Sequence, residues 1–175
     1  GSTGKPKGTL ITHRGAVNYL CWACDYYNVQ EGNGAIIFSP ITFDMVVTSL
    51  FAPLLAGRSV KLAVQESGVD ALVESVKVDR DLSFVKLTPA HLELLAQETD
   101  GAQVCGWTRA FIVGGEALMA ESISFWRTNA PQTRIVNEYG PTETVVGCCI
   151  YDVSDQTPYT GPVSIGAPTA NTQLY

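Results

Sequence analysis

From residue 59 onward, short apolar runs alternate with helix-length amphipathic stretches, and this alternation constrains the fold more than any other feature of the chain. Residues 59–64, 82–87, 110–113, 134–137 and 145–152 read as strands from their length and β-branched content. Residues 69–78, 89–97 and 118–129 read as helices between them, with Pro89 well suited to a first helical position. Upstream, Thr12 suits the N-cap of a helix over 15–28, where Val17, Leu20, Cys21 and Cys24 recur at helical spacing. Asn33-Gly34 then breaks the chain before a buried strand at 35–38, and a further helix covers 44–56, ended by Gly57. Strands and helices in turn predict an α/β fold: layered mixed or parallel sheets with flanking helices. In such folds ligands collect where loops leave the carboxyl ends of the strands. The loops after Phe38, Leu87, Val113 and Asn137 are therefore the informative ones, while 154–166 reads as a surface loop.

Composition removes several alternatives. At 175 residues, 46% hydrophobic and 16% charged, the chain is globular and of single-domain size. A net charge of −6 argues against a general nucleic-acid binder, so any anion site must be local. Residues 32–57 carry one charge, Asp44, but Pro40, Pro53 and several hydroxyls break the segment, so a buried stretch is expected rather than a membrane span. Five cysteines, an odd number, favour a reduced, cytoplasmic compartment. The Cys21/Cys24 pair, flanked by Trp22, Tyr26 and Tyr27, reads as core packing rather than a metal site. With no Met at position 1 and a glycine-rich opening, the chain is expected to be a fragment truncated at both ends.

Three segments carry candidate chemistry. Gly1-Ser2-Thr3-Gly4-Lys5-Pro6-Lys7-Gly8 combines exposed backbone amides, hydroxyls and ammonium groups, an inventory suited to a polyphosphate, although a solvated hairpin fits it too. It lacks P-loop spacing, since Lys7 is followed by Gly8. Asn137-Glu138-Tyr139-Gly140-Pro141-Thr142-Glu143 offers a ring for stacking, a hydroxyl for a phosphate and a hard oxygen ligand for Mg²⁺; an ordinary Gly-Pro turn is the alternative. Asp44 either caps the helix that follows it, which composition favours, or holds a cationic ligand group in the wall of an apolar pocket.

Taken in order, the glycine-rich segment, Phe43-Asp44 and the Asn137–Glu143 motif resemble the adenylate-forming superfamily, and in particular the adenylation domains of nonribosomal peptide synthetases. Gly114-Gly115-Glu116, Ile165-Gly166-Ala167-Pro168 and Asn171-Thr172-Gln173 extend the resemblance along the chain. The resemblance implies part of the large N-terminal subdomain of that fold. It also implies ATP- and Mg²⁺-dependent activation of an amino acid as its adenylate, then loading onto a phosphopantetheine thiol of a peptidyl carrier domain within a larger synthetase. By position, Ser2, Thr3, Gly4 and Lys7 would hold phosphates, Gly114, Gly115 and Glu116 would run along the adenine, and Asn137 and Tyr139 would contact the base. Thr142 would contact a phosphate and Glu143 would bind Mg²⁺; Lys7, Thr142 and Glu143 form the catalytic set. Asp44 would pair with the substrate α-amino group. Met45, Thr48, Ala90, Ile112, Gly114, Glu138, Val146 and Gly147 would form the side-chain pocket. An acyl- or aryl-CoA ligase activating a non-amino acid is the alternative within the class, and a catalytically silent nucleotide-binding module the alternative outside it. Little turnover is expected from the piece alone, and neither nucleic acid nor membrane is expected as a partner.

Overall fold

The computed structural model describes residues 8–63 and 68–174. Helix α1 (His13–Tyr26) lies two residues earlier than the expected 15–28 but has the expected cap: Thr12 has extended backbone, and its hydroxyl accepts the Gly15 amide at 3.1 Å. Strand β1 (Ala35–Ile37), helix α2 (Met45–Leu55) and strand β2 (Val60–Leu62) follow, with β1 and β2 parallel. Gly34 leads into β1 at φ +99°, and a Cβ there would overlap the Ser59 carbonyl that accepts the Ala35 amide. Helix α3 (Gly68–Val78), strand β3 (Val85–Leu87) and helix α4 (Pro89–Gln97) come next, α4 with Thr88 as cap and Pro89 in its first turn. Strands β4 (Ala110–Gly114), β5 (Arg134–Tyr139), β6 (Cys149–Asp152) and β7 (Ala167–Pro168) complete a second sheet in the order β3-β4-β5-β6-β7. Its first three strands are parallel and its last two antiparallel to their neighbours. An isolated parallel bridge, Ala35 to Phe84, sets β1 beside the start of β3.

The central strands are buried on both faces, and their period of two sorts the core into two layers. Phe111 and Val113 of β4 join Leu92, Leu95 and Trp126 on one side; Ala110 and Ile112 join Tyr19, Ala23 and Ala52 of α1 and α2 on the other. Lys86 on β3 and Glu138 on β5 fall on the α1/α2 side by the same alternation, although both are charged.

Four expectations need correction. The helix expected over 118–129 is a 3-10 turn, Ala120–Ile123, followed by a short α5 (Ser124–Asn129). Its first part is tied to a neighbouring loop, with the Ala120 amide on the Gly161 carbonyl and the Gly161 amide on the Glu121 carboxylate, and so does not propagate an α ladder. Strand β5 runs two residues past Asn137, because pairing with both β4 and β6 continues to Glu138 and Tyr139. The strand expected from Val145 begins only at Cys149: Thr142–Thr144 is a 3-10 turn, and Val145 takes φ 83°, a conformation that a β-branched residue rarely adopts. Of the two paired cysteines, Cys24 is half-buried against the Ala52 carbonyl, whereas Cys21 is exposed.

Residues 32–57 fold into β1, a loop and α2, and among the described residues no helix is long and apolar enough to cross a membrane.

Candidate functional site

Two adjoining cavities open at the carboxyl ends of the parallel strands, where an α/β fold places ligands. The larger, about 430 Å³, is walled by Gly115–Leu118, by Asn137 to Gly140 and by Pro162, Val163 and Ile165. The smaller, about 190 Å³, is lined by Phe43, Asp44 and Met45 above α2, by Lys86 and Thr88, and by Gly114, Glu138 and Val146. Gly115, Glu116, Glu138 and Gly140 line both, so two ligands could meet along the ends of β4 and β5.

In the larger cavity the Tyr139 ring is 49% exposed and open to stacking. Asn137 is buried, and its amide donates to the Ser164 carbonyl at 2.9 Å and the Val163 carbonyl at 3.4 Å, so it braces the far wall. Gly115 turns the chain at φ +84°, and Glu116 follows it exposed. Gly140 has no room for a side chain: a Cβ would stand 2.7 Å from the Gly147 Cα.

In the smaller cavity Asp44 does not cap α2. Its own backbone is helical, its side chain makes no capping bond, and it accepts a hydrogen bond from the Thr142 hydroxyl instead. The cap reading is thereby corrected: the loop of 40–43 already turns through the Phe43 amide on the Pro40 carbonyl, and the carboxylate is left facing the cavity. Two residues expected at different ligands, Asp44 and Thr142, thus lie in contact at the edge of the smaller cavity. Glu143, exposed in the same 3-10 turn, follows directly.

Beneath Asp44 lies a buried ionic network. Lys86 and Glu138, 3% and 4% exposed, form an ion pair between Nζ and Oε2. The same ammonium donates to Thr48 Oγ1 at 3.1 Å and Tyr19 Oη at 3.2 Å, so each of its three protons has a partner. Tyr19 Oη donates to Glu138 Oε1 at 2.6 Å. A phenol has one proton, so the 2.7 Å contact between Tyr19 Oη and Thr48 Oγ1 is donated by the threonine. Lys86 is opposite Ile112, and Glu138 opposite Gly114, on the two strands flanking β4. Gly114 leaves the face between them clear, and Gly147 packs its backbone against the Glu138 carboxylate, where a Cβ would overlap Oε1.

Of the expected pocket residues, Asp44, Met45, Gly114, Glu138 and Val146 line the smaller cavity, Thr48 reaches it through the network, Gly147 backs Glu138, and Ile112 is buried beneath. Ala90 is exposed in the first turn of α4 and is not among the lining residues; Lys86, four residues earlier, occupies the floor. The overlooked signal was a lone lysine in the apolar run Phe84-Val85-Lys86-Leu87, a charge that burial obliges to find a counter-ion. The phosphate-loop residues Ser2, Thr3, Gly4 and Lys7 lie outside the described residues. The chain that follows them enters α1 beside the acidic turn: a Cβ on Gly15 would stand 3.3 Å from a Val145 methyl.

The fold is an α/β sheet with two adjoining cavities at the carboxyl ends of its parallel strands, one carrying Tyr139 and the other Asp44. The chain belongs to the AMP-binding enzyme family, whose model matches residues 1–175. It is 43% identical over its whole length to tyrocidine synthase 3 of Brevibacillus parabrevis and 41% identical to bacitracin synthase 3 of Bacillus licheniformis, spanning 3% of each of those proteins. Among solved structures, the nonribosomal peptide synthetase FmoA3 in its α-methyl-L-serine-AMP-bound form superposes with a TM-score of 0.84 at 28% identity, covering 97% of this chain and 20% of that one. The Vibrio cholerae adenylation domain AlmE, solved with glycyl-adenosine-5'-phosphate, shares the fold with a TM-score of 0.83 at 22% identity over 96% of this chain and 31% of its own.

Proposed function

We propose that residues 1–175 are part of the large subdomain of an adenylation domain that activates an amino acid. In this reaction the substrate carboxylate attacks the α-phosphate of ATP, giving an aminoacyl adenylate and pyrophosphate. The acyl group then passes to a carrier-domain phosphopantetheine thiol, forming a thioester and releasing AMP. The observation that carries the reading is Asp44: a carboxylate free of capping duty, in an apolar wall, one cavity away from an open tyrosine ring. A substrate ammonium would supply a charge partner for Asp44, which forms no ion pair among the described residues. The relatives named above, and the α-methyl-L-serine-AMP bound to FmoA3, support an amino acid over a plain acid.

ATP is assigned to the larger cavity, with Tyr139 stacking on the base and Gly115 and Glu116 beside it, and with Thr142, in the turn after β5, toward the phosphates. Ser2, Thr3, Gly4 and Lys7 are assigned to the β- and γ-phosphates. Mg²⁺ is assigned to Glu143, a single exposed carboxylate, with phosphate oxygens supplying further ligands. When bound, the ion would neutralise charge on the phosphates. In the smaller cavity the mutually paired Lys86 and Glu138 carry no net charge, and the Glu138 oxygens retain lone pairs that could accept from a substrate. A charged substrate side chain would have to part them, so neutral side chains are favoured.

The test is amino-acid-dependent exchange of labelled pyrophosphate into ATP by the complete enzyme. Exchange with one or a few neutral amino acids is expected; exchange only with acids lacking an amino group would replace this reading with an acyl- or aryl-CoA ligase. Glu143→Gln is expected to shift the Mg²⁺ requirement to higher concentration in the same assay, and an unmoved Mg²⁺ titration would remove Glu143 from the metal site.

A further inference from the structure

Two members of the buried network, Tyr19 and Thr48, line neither cavity. Tyr19 is 3% exposed on the inner face of α1, behind the pocket floor, and its hydroxyl touches Lys86 and Glu138, which line the smaller cavity, and Thr48 beside them. We propose that Tyr19 is a positioning residue for substrate selection, fixing the Glu138 carboxylate in the pocket floor and Thr48 behind it without touching the substrate itself. The inference rests on the amino-acid reading above.

The proton inventory carries the argument. Glu138 Oε2 is held by Lys86 and Oε1 by Tyr19, so both carboxylate oxygens are fixed from behind. The phenolic proton is committed to Glu138, which forces Thr48 to point its own proton into Tyr19 rather than into the cavity. Thr48 Oγ1 in turn accepts from Lys86, and the four groups close into one arrangement with a single direction for each bond. Burial, reinforced by the negative charge of Glu138, holds the Tyr19 hydroxyl well above the ordinary phenol range, so the donor role persists at any working pH. Tyr19 also joins the elements that build the pocket. Through one oxygen α1 meets α2 at Thr48, one turn beyond Asp44 on the same helical face, and meets β3 and β5 at Lys86 and Glu138. Phenylalanine would fill the same space yet leave Glu138 Oε1 buried without its donor, and the carboxylate would turn away from its present setting.

Initial exchange rates in the complete enzyme test the proposal. Tyr19→Phe is expected to raise the KM for the preferred amino acid about tenfold or more, the range for a lost hydrogen bond to a charged group, with kcat and the KM for ATP little changed. It is also expected to narrow the discrimination between neutral and charged side chains, which loss of stability alone would not do. Tyr26→Phe is the control: its hydroxyl also donates to a carboxylate, that of Asp152, from the same helix but away from both cavities, and its removal is expected to leave the amino-acid KM alone. An unmoved KM in Tyr19→Phe, a uniform fall in kcat for every substrate, or an equal effect in Tyr26→Phe would overturn the proposal. Should Tyr19→Phe fail to fold, 3-fluorotyrosine at position 19 reads the same bond by ¹⁹F resonance. A shift on adding the amino acid but not ATP supports the proposal, and indifference to the amino acid overturns it. A parent enzyme that exchanges with no amino acid defeats the functional reading and this inference together; exchange in the parent with an unmoved variant defeats this inference alone.

Discussion

Alanine at Lys86 is expected to destabilise the domain by about 3–5 kcal/mol, the usual cost of stripping one partner from a buried ion pair. The reason is local. Glu138, 4% exposed in the parent, would keep Oε1 on Tyr19 while Oε2 lost its counter-ion, and the hydroxyls of Thr48 and Tyr19 would lose the same donor. The cost falls on the carboxylate left behind rather than on any large intrinsic value of the pair, and the double variant Lys86→Met, Glu138→Leu separates the two. With both charges replaced by apolar groups of similar volume, most of the lost stability is expected to return, while selectivity in the smaller cavity is not. Denaturant unfolding of the parent, the single and the double variants checks this. A Lys86→Ala protein within about 1 kcal/mol of the parent would show that the pair is hydrated in solution and that its burial confers little.

The largest effect on activity is expected from Asp44→Ala. Truncating one side of a desolvated charge pair costs roughly 2–5 kcal/mol, about 30-fold to several thousandfold in kcat/KM for the amino acid, enough to remove detectable exchange. Stability should change little, because the Asp44 side chain makes no capping bond and its one hydrogen bond within the described residues comes from Thr142. Binding of ATP in the absence of the amino acid should also change little. Asp44→Asn sharpens the result: it keeps an acceptor for the Thr142 hydroxyl while removing the charge. Exchange lost in both variants identifies the charge as the functional element. Undiminished exchange in either would assign the ammonium contact elsewhere, and activity in Asn but not Ala would make the link to Thr142 the important one.

That link has a mechanistic sense. Asp44 belongs to the loop before α2 and Thr142 to the turn after β5, and each is assigned to a different substrate. Their hydrogen bond ties the wall of the smaller cavity to the turn that follows Tyr139, between the group proposed to hold the amino acid and the groups proposed to hold the triphosphate. For a reaction in which the carboxylate of one substrate must reach the α-phosphate of the other, a shared wall at the ends of β4 and β5 supplies the approach without a large motion of either ligand.

How much of this was legible beforehand follows from the range of the interactions involved. The starts of α1 and α4 were legible because capping is decided within four residues: Thr12 and Thr88 each accept an amide three positions on. The strands buried on both faces were legible as short apolar runs. The boundaries that failed were set by distant partners: β5 was lengthened by β4 and β6, and the helix expected from 118 was diverted by Gly161. Within the site, residue types and their order along the chain marked Asp44, Tyr139, Thr142 and Glu143, but not Lys86, whose meaning depends on Glu138 arriving two strands away.

The amino-acid sequence alone determined the alternation of strand and helix, and with it which ends of the strands would gather ligands, since periodicity and capping are local properties. Only the tertiary structure decided that Asp44 faces a cavity rather than its own helix, that Lys86 and not Ala90 forms the pocket floor, and that Tyr19 stands behind both. Those outcomes depend on which buried charges meet across 52 and 119 residues of chain, a pairing that no local pattern encodes.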